Sequence, residues 1–151
     1  MAVVFAVVGC GGKEAPPAPS VTLTPALEAQ FKALGGECKH FLRISGEPGA
    51  APRVFQCSST TAYVSINTYT EGVVKSIELA LTGSPKDLRA GYAAALGKLI
   101  PAATLTALQD RFPDGGNGID PPELVKAGGL KLMISADKKP AGLRADVTVN
   151  W

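Results

Sequence analysis

Between Ala62 and Leu81 the chain alternates apolar and polar residues through two runs, with Glu71-Gly72 between them. A period of two is the pattern of a strand with one covered face. Glycine in the second turn position supplies the positive φ that a two-residue hairpin loop needs. This register sets Ile66 opposite Ile77, Val64 opposite Leu79 and Ala62 opposite Leu81. Sliding it by one residue would set Ser65 and Glu78 against apolar partners, so the pattern admits one pairing. A chain with such a hairpin must build a sheet and then cover one face of it.

Two further hairpins follow the same logic. With Gly46-Glu47-Pro48-Gly49 as a turn and Ser45 opposite Ala50, Leu42 faces Arg53, His40 faces Phe55 and Cys38 faces Cys57. Alternation places Cys38, His40, Leu42, Ile44, Phe55 and Cys57 on the covered face and Phe41 with Val54 on the other. Pro52 marks an exposed edge, because proline cannot donate to a ladder. The last hairpin pairs Leu130 with Val149, Leu132 with Val147 and Ile134 with Ala145 across a loop from Asp137 to Gly142, and Trp151 extends the buried alternation.

Helical periodicity fills the gaps. Thr24 and Pro25 read as N-cap and first helical residue, Leu27, Phe31 and Leu34 share a face, and Gly35-Gly36 ends the segment. Ser84, Pro85 and Asp87 repeat the start signal with a capping box. The helix behind them presents Leu88, Tyr92, Leu96, Leu99 and Ile100. Pro101 breaks it, and a further stretch continues through Leu105 and Leu108 to Phe112. After a loop at Pro113 to Gly118, a short helix is expected from Asp120, Pro121 and Glu123 to Gly128-Gly129. The expected fold is α+β in two layers, an antiparallel sheet of about six strands with the helices packed on one face.

The N-terminus has a different character. Met1 to Val8 is an apolar run too short to span a bilayer, and it leads into Val7-Val8-Gly9-Cys10. This stretch resembles the lipobox of bacterial lipoproteins, in which two apolar or small residues and a small residue precede the cysteine that carries the lipid. The resemblance implies diacylglyceryl attachment at Cys10, cleavage before it, palmitate or a similar acyl chain on the new amine, and residence in the cell envelope. That address is the periplasmic side of a bacterial membrane, the outer membrane included, or the cell surface. The signal departs from the family pattern in having no Lys or Arg before Lys13. The expected organisation is a signal segment over residues 1–9, a lipid-anchored Cys10 and Pro-rich linker over 10–20, and one α+β domain over 21–151. With Cys10 assigned to lipid, Cys38 and Cys57 remain as a pair that an oxidising compartment favours as a disulfide. A metal site built on Cys38, His40 and Cys57 is the rival; it lacks a fourth ligand and the usual close cysteine spacing.

The formal net charge of +2, with basic and acidic residues interleaved, gives no footing for nucleic-acid binding. Asp110, Asp114, Asn117 and Asp120 invite a calcium-loop reading, yet from Asp110 the third position is Phe112 and the twelfth is Pro121, neither a usable ligand. His40 is the sole histidine and is expected inside, beside Phe55. Ser58 and Ser59 have no nucleophile-elbow pattern, and Gly35-Gly36 and Gly115-Gly116 form no phosphate loop. No catalytic residue, metal site or cofactor is therefore expected, and the chain reads as non-enzymatic. What remains is the outward face of the central hairpin, where Tyr63, Ser65, Asn67 and Tyr69 lie beside Val74, Ser76 and Glu78, with Phe41 and Val54 as an extension. Large amphipathic rings on a stiff sheet suit protein recognition. The expected partner residues are Tyr63, Ser65, Asn67, Tyr69 and Glu78, in an envelope-assembly or immunity role. The alternative is a carrier of a lipid or small apolar ligand between sheet and helices.

Overall fold

The computed structural model describes residues 16–34, 36–42, 53–69 and 71–151. In chain order its elements are α1 (Pro25–Lys32), β1 (Glu37–Leu42), β2 (Arg53–Ser58), β3 (Ala62–Thr68), β4 (Val74–Gly83), α2 (Pro85–Leu96), α3 (Ala102–Gln109), β5 (Ile119–Ala127), β6 (Leu130–Lys139) and β7 (Gly142–Asn150). The strands form one antiparallel sheet of seven in the order β1-β2-β3-β4-β7-β6-β5. Cys10, Ile44 and the turn at 46–49 lie outside the described residues.

The first two hairpins pair in the expected register: Cys38 opposite Cys57, His40 opposite Phe55, Val64 opposite Leu79 and Ile66 opposite Ile77. The loop of the second differs in detail. The Gly72 N–H donates to the Tyr69 carbonyl, Gly72 has φ 79°, and the register shifts between Asn67 and Thr68. The connection is thus a longer turn followed by a bulge that absorbs the extra residue, rather than the two-residue loop expected.

Two expectations are overturned at the far side of the sheet. The segment expected as a short helix from Asp120 is β5, so there are seven strands rather than about six. Its Asp-Pro-Pro-Glu start imitates a helix cap, but Gly128 and Gly129, with φ 59° and 81°, form the two-residue turn of a hairpin. Val125 then pairs with Leu132 and is buried. The last hairpin is displaced by two residues from expectation, with Leu132 opposite Val149, Ile134 opposite Val147 and Ala136 opposite Ala145. A displacement of two leaves every side chain on its original face, so burial does not oppose it. Turn length decides instead, because Lys139 pairs directly with Gly142.

One alternating set of strand residues, among them Phe55, Cys57, Val64, Ile66, Ile77, Leu79, Leu132, Ile134, Val147 and Val149, joins Leu27, Phe31, Leu88, Tyr92, Leu96 and Leu108 of the helices in one core. Ser84 accepts from the Asp87 N–H while the Asp87 carboxylate accepts from the Ser84 N–H, completing the expected capping box of α2. That start aims Leu88, Tyr92 and Leu96, one helical turn apart, into the core. The Tyr92 ring stacks on Phe112 at 5.7 Å between centroids. Its hydroxyl lies 2.9 Å from the Ala145 carbonyl of β7 and 3.2 Å from the Leu79 carbonyl of β4. Burial pushes the phenol far above its ordinary pKa, so it stays a neutral donor.

The segment 16–23, part of which was expected to run free as linker, lies along one end of the sheet. Pro16 and Ala18 pass close to Gly129, where a built Cβ would lie 2.6 Å from the Pro16 carbonyl oxygen. The Trp151 indole N–H donates to the Pro19 carbonyl at 3.1 Å. Val74 N–H donates to Val21, Thr22 bridges to Val73, and Leu23 N–H donates to Gly72. Trp151 is therefore half-buried and packed against the core, and its indole also clasps this strap.

Candidate functional site

The strand residues that do not enter the core run in straight cross-strand rows. One row crosses all seven strands as Lys39, Gln56, Ser65, Glu78, Thr148, Met133 and Leu124; the next runs Phe41, Val54, Asn67, Ser76, Asn150, Lys131 and Lys126. Over β1 to β4 these rows form a groove of about 350 Å³ lined by Phe41, Val54, Gln56, Tyr63, Ser65, Asn67 and Glu78. A second hollow of about 240 Å³ shares Tyr63 and Glu78 with it and continues over Ala80, Asp146 and Thr148.

The sheet ladder fixes each side chain. Gln56 lies opposite Ser65 and one position from Tyr63, and its amide donates to the Tyr63 hydroxyl at 2.8 Å. Asn67 lies opposite Ser76 and donates to its hydroxyl at 3.2 Å. These bonds tie down the phenol and one amide, which lowers the entropy lost when a partner arrives. Ser65 and Val54 form the floor, at 5% and 9% exposure, while Phe41 stands at 46% on the wall. Glu78 is exposed and is the one carboxylate among the lining residues. The groove can therefore offer an aromatic face, amide donors and acceptors, and one negative charge; its described lining holds no histidine, cysteine or lysine for acid–base or nucleophilic chemistry.

Of the residues singled out in the sequence, Tyr63, Ser65, Asn67 and Glu78 come together here with Phe41 and Val54. Tyr69 does not line the groove. It stands past Asn67 at the β3–β4 turn, off the end of the groove, 52% exposed with the Lys75 ammonium 5.8 Å from its ring. Gln56 was missed, although it occupies the same alternating face as Val54 and was legible from that pattern.

Cys38 and Cys57 form a disulfide. His40 occupies the expected face without the expected burial: its side chain is 58% exposed, with Nε2 3.3 Å from Glu28 and the ring 5.1 Å from Phe55. Among the described residues it lies on the edge strand of the sheet, with its ring between Glu28 of α1 and Phe55 of β2. Asp114 of the acidic loop pairs with Arg89 at 2.7 Å, and the Arg89 guanidinium also donates to the Phe112 carbonyl. Among the described residues there is no cluster of three His, Cys, Asp or Glu able to hold a metal ion, and no helix long and apolar enough to cross a membrane. Comparisons with protein-family models, curated proteins and solved structures find no match for this chain.

Proposed function

We propose that the protein is a non-enzymatic, membrane-anchored lipoprotein of the cell envelope that binds another protein through the open face of its sheet, in envelope assembly or as an inhibitor or immunity factor. In this reading the helices form a second layer over one sheet face and leave the Phe41–Tyr63–Glu78 groove free. The groove carries the proposal, because a preformed, mostly polar hollow with an exposed aromatic wall suits a protein segment that brings one apolar side chain and one basic side chain. The basic group would pair with Glu78 and the apolar one would lie on Phe41 and Val54. Lipid on Cys10 supplies the tether. The carrier alternative needs space between sheet and helices, where Phe31, Phe55, Tyr92 and Phe112 are packed to full burial or nearly so.

The test is capture from the native envelope by the immobilised full chain after crosslinking. Phe41→Ser with Tyr63→Ala should remove the captured protein while the unfolding temperature stays within a few degrees. Undiminished capture by this variant refutes the assignment to the groove. Intact mass from the native host checks the tether separately, since an unmodified Cys10 still preceded by Met1 to Gly9 refutes it.

A further inference from the structure

The strap defines one end of the sheet, and that end differs electrically from the other. It runs from the β5–β6 turn, where Pro16 and Ala18 touch Gly129, to the β3–β4 turn, where Leu23 meets Gly72. Lys126 and Lys131 flank the first turn and lie directly opposite each other in the ladder. Like charges so placed repel unless an anion stands between them. Lys98 lines a hollow with Pro16 to Val21 and Gly128 at the same end, and Lys75 is joined there through its carbonyl to the Trp151 N–H. All four lysines are exposed, and among the described residues none is ion-paired. Glu71, in the β3–β4 turn, is an exposed carboxylate at this end.

The opposite end holds charges of both signs, interleaved and paired. Arg89 meets Asp114 at 2.7 Å, Arg111 meets Glu123 at 3.0 Å, Arg144 meets Asp146 at 3.5 Å and Lys139 meets Asp137 at 3.7 Å. Positive charge at that end is interleaved with carboxylates, whereas the strapped end carries a cluster of lysines without described ion pairs. Next to its lysine pair, in the adjacent row, Leu124 and Met133 face each other at 56% and 41% exposure.

We infer that the strapped end is a docking surface for an anionic phospholipid membrane, with Lys75, Lys98, Lys126 and Lys131 meeting lipid phosphates and Leu124 with Met133 resting at the headgroup boundary. This rests on the lipoprotein reading for its setting, and the chain length from Cys10 to the strap agrees with it. Six residue steps from Cys10 to Pro16 reach no more than about 20 Å even when fully extended. A lipid on Cys10 therefore holds the Gly129 end, with its lysines, close to the bilayer. The groove lies over β1 to β4 and the Leu124–Met133 pair over β5 and β6, so the two are set apart across the sheet.

The test uses the full chain with Cys10→Ser, which carries no acyl chain, and vesicles of phosphatidylcholine with or without phosphatidylglycerol. Selective binding to the phosphatidylglycerol vesicles, weakening as salt is raised, is expected. Each lysine near such a surface is worth about fivefold in affinity. The exposed triple variant Lys98→Gln, Lys126→Gln, Lys131→Gln should lose on the order of 100-fold. Lys138→Gln with Lys139→Gln, at the opposite end, should bind like the parent and controls for net charge. Equal binding to both vesicle types, no binding to either, or a triple variant that binds like the parent overturns the inference. Capture of an acidic protein by these lysines without vesicle binding overturns it as well. The two readings fail separately, because the state of Cys10 is read by mass and the docking end by vesicles that need no anchor.

Discussion

The Cys38–Cys57 bridge closes a loop of sequence separation 19 between two neighbouring strands, one of which, β1, is an edge with β2 as its one strand neighbour among the described residues. Constraining a loop of that size removes on the order of 11 cal/mol/K from the unfolded chain, about 3 kcal/mol at 25 °C. The comparison that isolates this quantity is the Cys10→Ser chain with the bridge intact against the same chain reduced, because no atom of the core is deleted. Urea denaturation should show the reduced form less stable by about 3 kcal/mol, and its melting temperature should fall by about 12 °C for a domain of this size. The Cys38→Ala, Cys57→Ala double variant should lose roughly 1 kcal/mol more, since the Cys57 side chain is buried at 2% exposure and leaves a small void. Hydrogen exchange should accelerate first in β1, where the ladder to β2 becomes its sole strand tie. A difference below about 1 kcal/mol between oxidised and reduced protein would refute the argument, as would two reactive thiols in the unfolded, unreduced chain.

Tyr92→Phe removes the hydroxyl shared by the Ala145 and Leu79 carbonyls and should cost about 1–2 kcal/mol in urea denaturation, with the packing on Phe112 retained; an unchanged midpoint contradicts the bond. Gly129→Ala meets both a φ of 81° and the Pro16 carbonyl, so it should cost more than about 1 kcal/mol and expose residues 16–20 to protease, whereas Gly115→Ala, with φ 72° and open space, should leave the strap resistant. The Ser84 hydroxyl and N–H hold the Asp87 carboxyl below its ordinary pKa. A depressed folded pKa means that the associated stability is present above the unfolded value and is lost as pH falls through the folded one. Ser84→Ala should raise the Asp87 midpoint in an NMR titration and flatten the acid limb of the stability curve; an unmoved midpoint would contradict the capping geometry.

Much of the left half of the sheet was legible because independent signals agreed. The register of β1 with β2 follows from turn chemistry, and the same register brings the two cysteines together. Alternation alone marked Val64, Ile66, Ile77 and Leu79 for the core and Tyr63, Asn67 and Glu78 for the groove. The failures have local causes. Alternation gives a residue's face but not how far a groove extends along the strand, and Tyr69 stands beyond its end at the β3–β4 turn. The two prolines after Asp120 imitate a helix start, and they masked a Gly-Gly hairpin turn that was the stronger signal. The two-residue displacement of β6 on β7 cannot be seen by facing, only by counting the turn. The strap was not legible at all, since an extended segment held by main-chain bonds and one indole carries no periodicity.

The sheet order has a kinetic corollary. β1 to β4 and β5 to β7 are each built from strands consecutive in sequence, but the two groups meet along a single seam, where β4 pairs with β7 from Ser76–Asn150 to Gly83–Leu143. Until that seam closes, each half-sheet presents a raw edge, the arrangement most prone to pairing with another chain. Closure joins residues far apart in sequence and is the slow event expected of non-local β pairing. The Tyr92 hydroxyl reaches one carbonyl on each side of the seam, and its helix follows β4 directly. The residue that locks the joint thus comes from the segment next to β4 in the chain, not from the β5–β7 group that it ties down.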